Sequence, residues 1–73
     1  MKMSKSKWEN VVEKQVKALA LKLTFKPVSG TPYRFGADFN RVAYNDEFVL
    51  FYNGSWIQWI SKNGHYSGSF LFG

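Results

Sequence analysis

Two Asn-Gly pairs, Asn53-Gly54 and Asn63-Gly64, stand ten residues apart in the run FYNGSWIQWISKNGHYSGSF, residues 51–70. Between alternating apolar residues, Asn-Gly is a strong short-range hairpin signal, because both residue types tolerate the positive φ that tight, correctly twisted turns demand. Asn45-Asp46 offers a third tight turn, and EFVLFY, residues 47–52, is the strongest strand pattern in the chain. Residues 39–72 therefore read as a meander of four antiparallel strands.

Two-residue loops set a register for that meander. Tyr52 would face Ser55, Leu50 would face Ile57 and Phe48 would face Trp59. Across the last turn Lys62 would face His65, Ser61 would face Tyr66 and Ile57 would face Phe70. Alternation then places Phe48, Leu50, Tyr52, Ile57, Trp59, Tyr66, Phe70 and Phe72 on one face. Val49, Phe51, Trp56, Gln58, Ile60, Ser67, Ser69 and Leu71 fall on the other. The first set is the better core, so that face is expected to receive whatever else the chain folds into.

That remainder begins with a helix. Ser6 and Glu9 form an S-x-x-E capping box, and Trp8, Val11, Val12, Val16, Leu19 and Leu23 follow at helical spacing. Asn10, Glu13, Lys14 and Lys17 fall on the opposite side, with Glu13 and Lys17 as an i, i+4 pair. From Leu21 the pattern alternates and Pro27 cannot continue a helix, so a helix over 7–19 and a strand over 21–27 are expected. Residues 29–32 (SGTP) read as a loop, and 33–35 with 39–44 as one strand broken near Gly36 or as two short ones. The expected fold class is α+β: an N-terminal helix packed on a four- to five-stranded antiparallel meander sheet, a single domain over 1–73 with residues 1–5 as a flexible basic tail.

Composition narrows function. The chain has 73 residues, no Cys and one His, which excludes a disulfide framework and Cys-rich zinc sites. No nucleophile with its base and no carboxylate pair is suggested, and G-x-x-x-x-G-K-[ST] and G-x-G-x-x-G are absent, so no catalytic residue, metal ligand or cofactor is assigned. His65 reads as an exposed strand-start residue. No apolar run is long enough to span a bilayer or act as a signal peptide, so a cytoplasmic protein without membrane partners is expected, and a monomer.

The net charge of +5 is uneven, since residues 1–26 hold seven Lys against two Glu and the remainder balances. Such asymmetry suits a basic arm or helix that meets nucleic acid, an acidic protein surface or an anionic membrane. Seven Phe, four Tyr and three Trp are mainly core for so short a chain. Phe51 and Trp56 stay open, because the second sheet face needs a cover: internal, if 21–27 and 33–39 curl over it, or external, as a partner's docking surface. An edge strand at 21–27 or 65–72 also offers strand addition. The candidate partner-binding residues are Lys2, Lys5, Lys7, Tyr33, Arg34, Arg41, Phe51 and Trp56.

A small, Cys-free, basic chain with a capped helix, an aromatic meander and no catalytic motif resembles the small host-takeover proteins of bacteriophages. These include regulators that bind bacterial RNA polymerase, and anti-CRISPR proteins. The resemblance is one of size and layout over the whole chain. It implies a stoichiometric, non-enzymatic protein-binding inhibitor that docks on host RNA polymerase or a similar nucleic-acid machine and blocks transcription. The basic charge departs from acidic DNA mimics of that group. The alternative expectation is a nucleic-acid-binding module that uses the basic N-terminus and exposed aromatics.

Overall fold

The computed structural model describes residues 5–36 and 38–72, with side chains from Asn10 onward. Helix α1 spans Lys5–Lys22, and five strands follow: β1 Lys26–Pro27, β2 Arg41–Tyr44, β3 Phe48–Tyr52, β4 Trp56–Ser61 and β5 Ser67–Leu71. They form one antiparallel sheet in the order β1-β2-β3-β4-β5, an α+β layout with the helix on one face.

The helix runs longer than its periodicity suggested. Val12, Val16 and Ala20 are buried at successive fourth positions, and Leu19 and Leu23 pack beside them. This stripe carries the helix through the segment 21–22 expected as strand, and a last bond from Leu23 N–H to Leu19 C=O (2.9 Å) closes it. Only Lys26–Pro27 remain to pair, at a sheet edge, where proline is tolerated. Val11 lies at the exposed margin of the stripe. Residues 1–4 and the Ser6–Glu9 side-chain capping contact lie outside the described residues.

The two faces divide as the alternation requires. Phe48, Leu50, Ile57, Trp59 and Phe70 are buried against Val12, Val16 and Ala20, with Phe25, Tyr52, Tyr66 and Phe72 partly buried around them. Rings fill this layer by tilted and edge contacts: Phe48 with Trp59 at 5.9 Å, Phe25 with Tyr52 at 5.2 Å, Tyr52 with Phe72 at 5.4 Å.

Register is where turn chemistry intervened. Across the last hairpin the pairs Ile57–Phe70 and Trp56–Leu71 are those expected. Between β3 and β4, however, Tyr52 pairs with Ile57, Leu50 with Trp59 and Phe48 with Ser61. The loop is Gly54-Ser55 rather than Asn53-Gly54, and Gly54, at φ 96°, occupies the first central position as a type II′ turn requires. Asn53 sits one place earlier, its Oδ1 accepting from the N–H of Ser55 (3.1 Å) and Trp56 (2.8 Å). Moving the loop by one residue shifts partners by two, so every side chain keeps its face.

The β2–β3 loop is displaced in the same way, to Asp46-Glu47, for the same reason. Asn45 Oδ1 accepts from the N–H of Glu47 and Phe48, both at 2.8 Å. Asn63 Oδ1 likewise accepts from His65 N–H (2.9 Å), and from Ser61 Oγ–H (2.7 Å). All three hairpins thus carry an asparagine whose side chain imitates a backbone carbonyl. Asn53→Ala leaves two N–H groups without that acceptor, and at about 0.5–1.5 kcal/mol per net hydrogen bond the chain is expected to lose about 1–3 kcal/mol in denaturant unfolding.

Residues 28–36 and 38–39, expected to be partly strand, form instead a loop laid over the second face. Thr31 Oγ1 donates within this loop to Val28 O (2.8 Å) or Tyr33 O (2.9 Å), and Phe39 N–H reaches Gly36 O at 3.0 Å. Val28, Tyr33 and Phe39 pack on the buried Val42, Val49 and Phe51. The cover is internal over β2 and β3, and it is a loop rather than a curled sheet.

Candidate docking face

The loop covers only half of the second face. Over β4 and β5 the same face stays open, with Trp56, Ile60 and Leu71 exposed and Gln58, Ser67 and Ser69 among them. Where cover and open half meet, Arg34, Phe35, Phe51, Gln58, Trp59, Ile60 and Ser67 line a cleft of about 350 Å³. Phe35 stands exposed at its rim, its ring 5.1 Å from those of both Phe39 and Phe51.

Neither β4 nor β5 contains a charged residue, so this half-face is apolar with amide and hydroxyl groups interspersed. Among the described residues, Arg34, exposed, is the one ionised side chain lining the cleft. An aromatic and aliphatic patch with a guanidinium at its border has the composition of protein-interface hot spots.

The loop is held over its half by a clasp. Tyr33 and Tyr44 meet at 4.7 Å, and Lys62 Nζ lies over both rings, 5.6 Å and 5.5 Å from their centroids. Cation–π contacts at exposed positions contribute about 0.5–1 kcal/mol. Lys62 is further tied by its N–H to Glu47 O at 2.7 Å.

The residues singled out from sequence separate under this geometry. Trp56, 36% exposed, and Arg34 belong to the open half. Phe51 is only 5% exposed, beneath the loop, so it supports the patch from below rather than acting as a surface anchor. Tyr33 is half-buried in the clasp. Arg41 pairs across from Tyr52 on the helix-bearing face, where its Nη1 donates to Phe25 O at 3.3 Å. Lys2 lies outside the described residues, as do the side chains of Lys5 and Lys7 on the first turn of α1.

Phe35, Ile60 and Leu71 were not singled out as site residues. For Ile60 and Leu71 the signal was present, since alternation had put them beside Trp56. For Phe35 no signal existed, because nothing in Tyr33-Arg34-Phe35 tells a covering loop from a strand.

A second concavity of about 600 Å³ lies between α1 and the turns at Asp46-Glu47 and Lys62-Asn63, lined also by Val12, Gln15, Phe48, Ser61 and Tyr66. Among the described residues, no three His, Cys, Asp or Glu side chains gather as metal ligands would, and no helix is long and apolar enough to cross a membrane. No protein-family model, curated protein or solved structure matches this chain.

Proposed function

We propose that the protein is a non-enzymatic protein-binding inhibitor or regulator that docks through the open half of its second sheet face. The observation that carries this reading is the unequal cover. One loop buries Phe51, Val42 and Val49, yet the adjoining Trp56, Ile60 and Leu71 are left in water on an uncharged surface. A chain that solves the burial problem over two strands and leaves it unsolved over the next two has a surface suited to a partner.

The target class follows from the resemblance in size and layout to phage host-takeover proteins: a large nucleic-acid machine of the bacterial cytoplasm, RNA polymerase before others. In this reading Trp56 and Ile60 seat in the partner, Arg34 meets a carboxylate at the rim, and the lysines of α1 steer association with an acidic surface. Transcription is blocked by occlusion or by displacement of another factor.

Direct nucleic-acid binding is the second reading, supported by the lysine-rich front. Single-strand binding wants basic residues interleaved with stacking rings. Here Lys14, Lys17 and Lys22 project from the helix side while Trp56 and Phe35 lie on the opposite side of the sheet.

Titration against purified bacterial RNA polymerase and against labelled oligonucleotides, at two salt concentrations, separates the two. Saturable polymerase binding with weak oligonucleotide binding is expected. Oligonucleotide affinity that falls steeply with salt, with no polymerase binding, would overturn the proposal.

A further inference from the structure

The two edges of the sheet are built differently. β1 is two residues long and carries Lys26 and Pro27, the charge and the proline by which natural sheets blunt an edge. β5, at the other edge, pairs without a bulge along Ser67–Leu71 and has neither charge nor proline.

Its hydrogen-bonding groups can be assigned. Ser61 N–H reaches Tyr66 O at 2.8 Å and Phe72 N–H reaches Ser55 O at 2.8 Å, which makes 61–66 and 55–72 hydrogen-bonded pairs at the two ends of the ladder. By the antiparallel alternation Gly68 and Phe70 also turn their N–H and C=O toward β4. Ser67, Ser69 and Leu71 turn theirs outward, where no described strand meets them. The two most exposed large apolar side chains among the described residues flank this row, one on each side of the sheet: Leu71, 74% exposed, and Leu21 of α1, 80% exposed. Leu21, Leu71, Phe70, Phe72 and Lys17 line a shallow groove of about 330 Å³ along it.

We propose that β5 pairs antiparallel with β5 of a second copy, about a two-fold axis at Ser69. In that register Ser69 exchanges both bonds with its own counterpart, and Ser67 exchanges both with the second copy's Leu71. All outward N–H and C=O groups of Ser67, Ser69 and Leu71 are then satisfied. Side chains match as well. Each Phe70 falls opposite the second copy's Gly68. Each Leu71 falls opposite the second copy's Ser67, between its own Trp56 and the second copy's Ile60. The two open half-faces join into one surface.

The area involved sets the strength. A five-residue strand pair with two flanking leucines falls at or below the roughly 1,200 Å² at which stable interfaces begin, so the dimer is weak and reversible. The strands that meet are uncharged, whereas Lys17 beside Phe70 and the +5 charge of each chain repel. Self-association therefore strengthens as salt screens that repulsion. The dimer rests on the edge and not on the docking proposal, and departs from the monomer expected from the sequence.

Sedimentation velocity of the full chain from about 1 μM to about 1 mM brackets an interface of this class. The wild type is expected to pass from monomer to dimer, at lower concentration in high salt. Ser69→Pro removes an outward N–H without breaking the β4 ladder, and Leu71→Lys places a charge on an exposed edge position. Both variants are expected to stay monomeric with unchanged circular dichroism, and Leu71→Lys decides the matter should the proline disturb the strand. A wild type that is monomeric throughout, a Leu71→Lys variant that dimerises like the wild type, or growth beyond the dimer would overturn the proposal. Polymerase binding by a monomeric variant bears on the docking face alone.

Discussion

Trp59→Ala is expected to cost the fold a large share of its stability, read as a lowered denaturant midpoint. Trp59 is among the most deeply buried side chains, pairing across from Leu50 and meeting Phe48 edge-on beneath the helix. Removing a buried aromatic costs about 3–5 kcal/mol. A domain of this length has about 4–11 kcal/mol of total stability, so the loss is between about a quarter and all of it.

The reason for the ring lies across the ladder, where Trp59 pairs with Gly68. A Cβ at Gly68 would come within 2.9 Å of the indole Nε1 and 3.0 Å of Cε2 and Cζ2, so the indole occupies the space a side chain would take. Gly68→Ala is accordingly expected to cost about 1–3 kcal/mol, a fall in melting temperature of several degrees at the least. A phenylalanine lacks the outer part of the indole, Cζ2 included, and so crowds that space less. It also lacks the indole N–H, which is buried without a partner among the described residues. Trp59→Phe should therefore cost less than Trp59→Ala, and Gly68→Ala should cost less in the Trp59→Phe background than alone. Chemical denaturation of this double-mutant cycle measures the coupling; strict additivity would contradict the packing described.

The second large effect concerns binding. Ile60→Asp puts a carboxylate in the middle of the open half-face, beside the cleft, at a position already exposed in the free protein. Little stability is lost, because no buried group is removed. If the face is a docked surface, that charge is desolvated without a partner, and polymerase affinity should fall at least tenfold to a hundredfold. Trp56→Ala should cost about 2 kcal/mol of binding, the loss usual for an aromatic anchor. Lys14→Ala on the helix should mainly slow association and reduce its salt dependence.

Much of this architecture was legible because period-two alternation survives a two-residue error. Asn-Gly was read as the loop itself, whereas Asn53 and Asn45 lie one position earlier and cap the turn with their side chains. Since the shift is even, Trp59 still went to the core and Trp56 to the opposite face. The helix end was misjudged because Leu21, alternating with Lys22, mimics a strand. Its exposure shows that it was never part of the helix's buried stripe. Cover of the second face was legible only as one of two alternatives: the segment 33–39 was a candidate, but how Val28, Tyr33 and Phe39 fold back as a loop over half the face is not encoded in local pattern. Phe51 and Trp56, equivalent in sequence, parted for this reason.

The central claim is that the partner meets the open half of the sheet and not the lysine face of the helix. Amide hydrogen exchange of the full chain, free and with saturating bacterial RNA polymerase, tests it most directly. The account predicts added protection at residues 34–35, 56–60 and 67–71, with residues 12–22 of the helix unchanged. Protection confined to the helix, or no change at any of these residues, would contradict it.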